Sequence, residues 1–230
     1  MNNSYVKFLN HSSVILGSKE VKILCDPWFN GNAFNGWSLL HDQSHDINSL
    51  SYDYIWISHE HPDHFSIPFF KKFKDFIIKN DIKIIFQKTV DKRVIGFLNK
   101  NNIQTIELDE DIFFQIDKDF KIKIIKSDFY DSTLIAHIND CVIFNLNDCP
   151  IDNKKDLEDF KNKHGTCDIL LSQFSYAAWK GGKSNIKWRS NAAKKKIDTI
   201  YMQSKILEAR YTIPFASFIY FSNNYNFYMN

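Results

Sequence analysis

The chain has 230 residues, of which 44% are hydrophobic and 16% aromatic, so it can bury a substantial core and is not a disordered polymer. Its formal charge of +2 gives no ground for binding nucleic acid or an anionic membrane. No apolar stretch reaches the length of a membrane span, residues Met1 to Tyr5 lack the features of a secretory signal, and Cys25, Cys141, Cys149 and Cys167 form no C-x-x-C pair, which reads as a cytoplasmic protein with reduced thiols.

The first third is β-rich. Val6–Leu9, Ser13–Leu16 and Val21–Leu24 are short apolar or alternating runs, and Gly17-Ser18 marks a turn between the second and third. An irregular stretch follows from Asp26 to about Ser51, and a loop of that length inside a domain is usually functional. Tyr54–Ile57 predicts a strand. Ser66 or its neighbour is placed to cap a helix whose apolar positions Ile67, Phe69, Phe70, Phe73, Phe76 and Ile77 recur at helical spacing. Strand Ile82–Phe86 and a helix from Val90 to Asn99 come next. Five strands are then expected: 103–108, 112–116, 120–125, 134–138 and 142–146. A helix over Asp156–His164, a strand at Ile169–Leu171, a long helix over Asn185–Arg210 and a last strand over Phe215–Phe221 complete the reading. Sheets with helices on their outer faces fit this order. No internal repeat is visible. Lys194-Lys195-Lys196 reads as the solvated face of the long helix.

The most informative segment is His59-Glu60-His61-Pro62-Asp63-His64. It directly follows the run Tyr54–Ile57, and a strand that ends in such a cluster presents ligands to a cleft. His59 and His61 alternate by two and can point the same way if the loop stays extended. Pro62 can turn the chain so that Asp63 and His64 address a second position. Imidazole and carboxylate together suit zinc or iron. The bland alternative is a polar surface loop that happens to be rich in histidine.

The His59-x-His61-x-Asp63-His64 cluster resembles the signature of the metallo-β-lactamase superfamily. The resemblance implies an α/β (α+β) fold, an αββα sandwich, with one or two divalent metals at the sheet edge and metal-bound hydroxide as the reagent. Asn10-His11-Ser12-Ser13 resembles an early Gly-His-Ser/Ala motif of one branch, and Asp26-Pro27 an early Asp that buttresses the ligand loop. A closer likeness is to the metallo-hydrolase-like region of the CMP-N-acetylneuraminate hydroxylase family. Asp26-Pro27-Trp28, Gly36-Trp37, Leu39-Leu40-His41, Trp56-Ile57-Ser58-His59, Asn145 with Asp148-Cys149, and Pro214-Phe215-Ala216 carry it.

That resemblance implies metal ligands at His59, His61, Asp63, His64 and Asp148, the last as the bridge. A third His of the pattern would fall near Ser127-Asp128, where Asp128 can serve as a hard ligand, and a last one near Ser222-Asn223. His137 and His164 read as structural histidines. His11 and His41 are placed to line the pocket, with Trp28, Phe34 and Trp37 as a candidate apolar wall. Asp63 and His11 are the candidate catalytic residues, Asp63 as general base. Zinc is the first choice of metal, with iron or manganese as alternatives.

The chain shows no cysteine with a histidine two or three residues on, hence no Rieske motif. Hydroxylases of the family also continue beyond this region. The expectation is one domain over residues 1–230, either shortened at the C-terminus or a diverged paralogue. The leading functional expectation is a hydrolase acting on a small molecule, a sugar nucleotide or another phosphorylated or acidic compound. The alternatives are an oxygenase component fed by a separate electron donor and a non-catalytic ligand-binding paralogue with a degraded metal site. Oligomeric state is not legible.

Overall fold

The apolar runs of the first third pair as their turns dictate. A computed structural model of the chain describes residues 4–41, 49–127, 130–176 and 182–230. Strands β1 (Tyr5–Asn10), β2 (Ser13–Gly17) and β3 (Lys22–Cys25) form an antiparallel meander. Every residue of β2 is buried because it has a neighbour on each side and cover on both faces. The short strand β4 (Trp37–Leu39) lies within the stretch expected to be irregular and joins a separate two-stranded sheet.

From β3 the first sheet continues in parallel through β5 (Tyr54–Trp56), β6 (Lys83–Gln87) and β7 (Thr105–Leu108). Parallel neighbours require crossovers. Helices α1 (Ile67–Lys79) and α2 (Arg93–Lys100) supply those from β5 to β6 and from β6 to β7. Ser66 caps α1 by accepting the Phe69 N–H at 3.3 Å, and Pro68 sits in the first turn, where its missing N–H costs nothing. Helix α2 starts at Arg93, later than expected, and Val90 is left 98% exposed.

The second sheet repeats this plan. Strands β8 (Phe114–Asp117), β9 (Phe120–Lys126), β10 (Ser132–Ile138) and β11 (Cys141–Asn147) are antiparallel neighbours. Strands β12 (Ile169–Gln173) and β13 (Tyr211–Phe215) then add in parallel, through α3 (Lys154–His164) and α4 (Ile186–Ile206). Of the last strand expected, 215–221, Phe215 closes β13 and Ile219–Phe221 form β14, which pairs with β4; between them the chain breaks at Ala216, whose φ is +56°. The long helix ends at Ile206 rather than Arg210, because the chain must reverse into β13.

Three buried clusters define four layers. Leu16, Ile23 and Trp56 of the first sheet meet Ile122, Leu134 and Phe215 of the second between the sheets. Phe69, Phe70 and Leu98 of α1 and α2 cover the outer face of the first sheet. Leu157 and Phe160 of α3 cover Phe144 and Leu146 of the second. This is the αββα sandwich expected from the sequence. Cys25 is core, Cys141 is only partly buried, and all four cysteines are free. Among the described residues no helix is long and apolar enough to cross a membrane.

Candidate metal centre

Four chain segments meet where strands end. β3 ends just before Asp26, β5 leads to Ser58 and His59, β11 ends at Asn147 before Asp148, and the β1–β2 turn carries His11. Ligand sites of sheets with parallel strands lie outside those carboxyl ends. The register holds the ends together: the Asp26 N–H donates to Trp56 O at 2.9 Å, and that of Ile57 to Ile85 O at 3.0 Å. His11, Asp26 and Asn147 have φ values of +39°, +41° and +52°, a region non-glycine residues seldom occupy. Irregular pairing precedes two of them, between Phe8 and Asn10 and between Asn145 and Asn147. Such irregularities re-aim side chains at sites.

After His59 the loop turns once. The N–H groups of His64 and Phe65 both donate to His61 O, at 2.9 and 2.7 Å. His59 Nε2 and His61 Nδ1 face each other at 2.8 Å. His59, Asp63 and His64 are buried, and His61 is exposed at the mouth. On the far side of the turn, Asp63 Oδ2 lies 3.3 Å from His64 Nε2 and 3.3 Å from His11 Nε2. Asp148 Oδ2 is 3.6 Å from His64 Nε2. Among the described residues, two groups present one ligand atom per residue with all atoms within 4.8 Å: His11, Asp63 and His64, and His59, His64 and Asp148.

The imidazoles are oriented from behind. Asp26, fully buried, accepts the Ser58 N–H at Oδ1 (2.8 Å). Its Oδ2 accepts from Ser58 Oγ (2.8 Å), His64 Nδ1 (3.0 Å) and Asn147 Nδ2 (2.5 Å). With its own proton committed to Asp26, Ser58 Oγ accepts from His59 Nδ1 at 2.9 Å. Both rings therefore carry a proton on Nδ1 and turn Nε2 to the cleft, the arrangement metal-binding histidines use. Asp131 Oδ1 also approaches His59 Nδ1 to 2.7 Å, off the N–H axis.

The electrostatics call for a cation. Burial alone would drive His64 towards neutrality, but Asp63 and Asp148 beside it raise its pKa well above the ordinary imidazole value. Burial likewise works against ionising Asp63 and Asp148, yet His64 holds Asp63 well below the usual carboxyl range and Asp148 below it. His61 is pushed down by burial and by His59, and stays a neutral donor of its lone pair. Asp63 Oδ1, Asp148 Oδ1 and His64 Nε2 are buried with no hydrogen-bond partner among the described residues. The positive charge that Asp63 and Asp148 favour at His64 is one a divalent ion can supply in the proton's place, and with the unpaired carboxylate oxygens beside that nitrogen the residues fit one.

The structure thus brings together His11, His59, His61, Asp63, His64 and Asp148. Asp128 lies outside the described residues. Asn223 is used elsewhere: its N–H donates to Asn226 Oδ1, its Oδ1 accepts from the Tyr225 N–H, and its Nδ2 donates to Asn35 O. That turn seats on Gly36, where an added Cβ would come within 2.5 Å of Asn226 Nδ2. Asn223 is therefore not a ligand of the cluster. His41 is exposed, and its carbonyl accepts from Asn10 Nδ2 at 3.4 Å. Trp28 is buried edge-on against His11, whereas Phe34, 48% exposed, stands 5.6 Å from the His61 ring and walls the mouth. Sequence reading did not foresee the roles of Asn147 and Asp131, since each is distant in the chain from the histidine it serves. The solvated-face reading holds for Lys194 and Lys195 but not for Lys196. Half-buried, Lys196 donates to Gln173 Oε1 at 2.5 Å; burial pushes its ammonium down, against the attraction of Asp148 and Asp152.

Residues 5–148 match the family described as the beta-lactamase superfamily domain. Over 92% of its length the chain is 27% identical to cytidine monophosphate-N-acetylneuraminic acid hydroxylase of Danio rerio, of which it spans only 37%. Its fold is similar to that of CmlA, a diiron beta-hydroxylase from Streptomyces venezuelae, with a TM-score of 0.64 and 11% identity over 94% of this chain and 45% of that one. It is also similar to YhfI from Bacillus subtilis, a metallo-beta-lactamase fold protein, with a TM-score of 0.62 and 14% identity over 94% and 83% of the two chains.

Proposed function

The chain belongs to the β-lactamase superfamily and has the metallo-β-lactamase fold, and from that premise we propose that it is a metal-dependent hydrolase of a small anionic substrate. The observation that carries this reading is the convergence of His59 Nε2 with His61 Nδ1 beside two overlapping groups, His11 with Asp63 and His64, and His59 with His64 and Asp148. His59 and His61 would hold one divalent ion and Asp63 and His64 a second, with Asp148 between them and zinc the first choice. Such ions would supply Lewis acidity and, by lowering the pKa of a coordinated water from about 16 to near 7, a nucleophile at neutral pH.

The chain's own residues do the rest. Asp26 and Ser58 fix the His59 and His64 rings so that no reorientation is needed during reaction. Asp63, kept ionised, would have its other oxygen, Oδ1, without a hydrogen-bond partner among the described residues and free to take a proton as general base. Phe34 shields the mouth beside His61. Lys196, half-buried and in the field of Asp148 and Asp152, would offer its ammonium to a phosphate or carboxylate of the substrate. A sugar nucleotide fits that charge, in keeping with a relative named for a cytidine monophosphate sugar.

A second reading, an oxygenase component using iron at the same residues and electrons from a partner, is favoured by the hydroxylase relative. One experiment separates the two. Purified protein is reconstituted with zinc or iron, its metal content measured, and turnover of phosphodiester, ester and CMP-sugar substrates followed with and without dioxygen and a reductant. Zinc-supported, dioxygen-independent hydrolysis that falls at least about 100-fold in His61→Ala is the expected result. Less than about half an equivalent of any transition metal overturns both readings. Iron-dependent, reductant-driven hydroxylation favours the second.

A further inference from the structure

We propose that His11 is itself a metal ligand, its Nε2 completing the position it forms with Asp63 and His64. The inference rests on the metal-centre reading above and goes beyond it in naming the ligand. The family pattern would put a histidine near residue 223, but the Asn223 side chain is spent on Asn35 and Tyr225. The β1–β2 turn instead delivers an imidazole to Asp63 and His64 from the other side of the cleft.

The distances argue for ligation over hydrogen bonding. A hydrogen bond between imidazole and a buried carboxylate runs to about 2.7–2.9 Å. His11 Nε2 and His64 Nε2 both stop at 3.3 Å from the same atom, Asp63 Oδ2. Two donors bonded to a tetrahedral dication at about 2.05 Å each lie about 3.3 Å apart. At 3.3 Å the His11–Asp63 contact is a long hydrogen bond, whereas the same spacing at both imidazoles is the one two ligands of a single dication adopt.

The backbone supports the same reading. His11 sits at a φ of +39°, where a histidine is strained unless its surroundings hold it. The Ala216 N–H donates to His11 O at 2.8 Å, Ser12 Oγ to Asp63 O at 3.2 Å, and Ser13 Oγ to Asp26 O at 2.6 Å. The two flanking serines thus tie this turn to the carbonyls of Asp63 and Asp26. The Trp28 edge packs on the imidazole with ring centroids 5.3 Å apart. Among the described residues His11 Nδ1 has no hydrogen-bond partner, so packing and backbone, not a carboxylate, aim the ring.

The test titrates the full-length apoprotein with cobalt(II), reading uptake and the visible d–d bands. Wild type, His11→Gln and His11→Asn are compared, with apoprotein circular dichroism and thermal unfolding as the check on folding. Gln keeps a hydrogen-bond donor for Asp63, and Asn tolerates positive φ. We expect two equivalents in wild type. In both variants one equivalent is unchanged and the other weakened more than about 100-fold, beyond the 10–100-fold cost of losing a hydrogen-bonding partner of a ligand. A second equivalent in His11→Gln within about tenfold of wild type, with the same d–d bands, overturns the proposal and leaves the metal centre standing. No cobalt uptake by wild type overturns both. Hyperfine-shifted proton resonances of the cobalt-loaded wild type do not depend on variant folding: four ligand imidazoles are expected, and three overturn the assignment.

Discussion

Asp26 shows how much of the centre depends on one side chain that faces away from the cleft. Its carboxylate gathers Ser58, His64 and Asn147, three groups from two chain segments, and through Ser58 it also fixes His59. All four accepted bonds need an oxygen. Asp26→Asn keeps the size and, because Asn tolerates the left-handed region, also the φ of +41°. It puts an amide N–H where a donor already points. We expect a loss of about 1–3 kcal/mol of stability from the mismatched pair and a 10–100-fold weaker metal affinity, measured by urea unfolding and by chelator competition. An affinity within twofold of wild type would show that the rings are held by packing alone. The sequence made the local part of this centre legible, since His59, His61, Asp63 and His64 are neighbours and the spacing of two is a geometric statement in an extended chain. It hid Asn147 and Asp131. Their contacts span 121 residues to Asp26 and 72 to His59, and nothing in a single chain marks such a pair.

At the level of elements, the legible parts were those with strong periodicity. Helix α1, with Phe69, Phe70, Phe73 and Ile77 on one face and a serine cap, lies within two residues of its expected bounds. The failures came where tertiary contacts override local preference. The run 215–221 looks continuous in sequence but is broken at Ala216, whose N–H is claimed by His11 O. Helix α3 offers a test of such a tertiary demand. Its last residue, His164, accepts from Lys123 Nζ of β9 at 3.1 Å, and that ammonium also donates to Asp111 at 2.7 Å. An imidazole that accepts from an ammonium must be neutral. Burial, then the Lys123 charge, push its pKa down to about 4 against an ordinary value of 6.5. Between those values the unfolded chain holds more protons than the folded one, so this contribution to stability is present above pH 6.5, is lost as pH falls towards 4, and is flat below. Urea unfolding of wild type and His164→Asn across pH 7.5 to 4 should show the wild-type advantage shrinking through that window. A difference independent of pH would mean that His164 contributes only packing.

Across the whole molecule the two sheets have the same plan: an antiparallel set followed by parallel strands added through two crossover helices. The sequence carries no repeat that betrays this, because the two halves share topology and not residues. The plan has a thermodynamic consequence. The first half supplies His11, Asp26 and the histidine loop, and the second supplies Asn147 and Asp148, so the cluster exists only when both sheets are formed and packed. A divalent ion then binds the folded chain far better than the unfolded one, and its binding energy is added to the stability of the fold. At free metal 100 times Kd this is about 2.7 kcal/mol. For a chain of this length that corresponds to a rise in Tm of about 5–10 °C. Calorimetry with excess chelator and with zinc buffered at increasing free concentration should show Tm climbing with the logarithm of zinc, and His61→Ala should climb less steeply. Equal Tm values with chelator and with saturating zinc would mean that these imidazoles and carboxylates meet for a reason other than holding an ion.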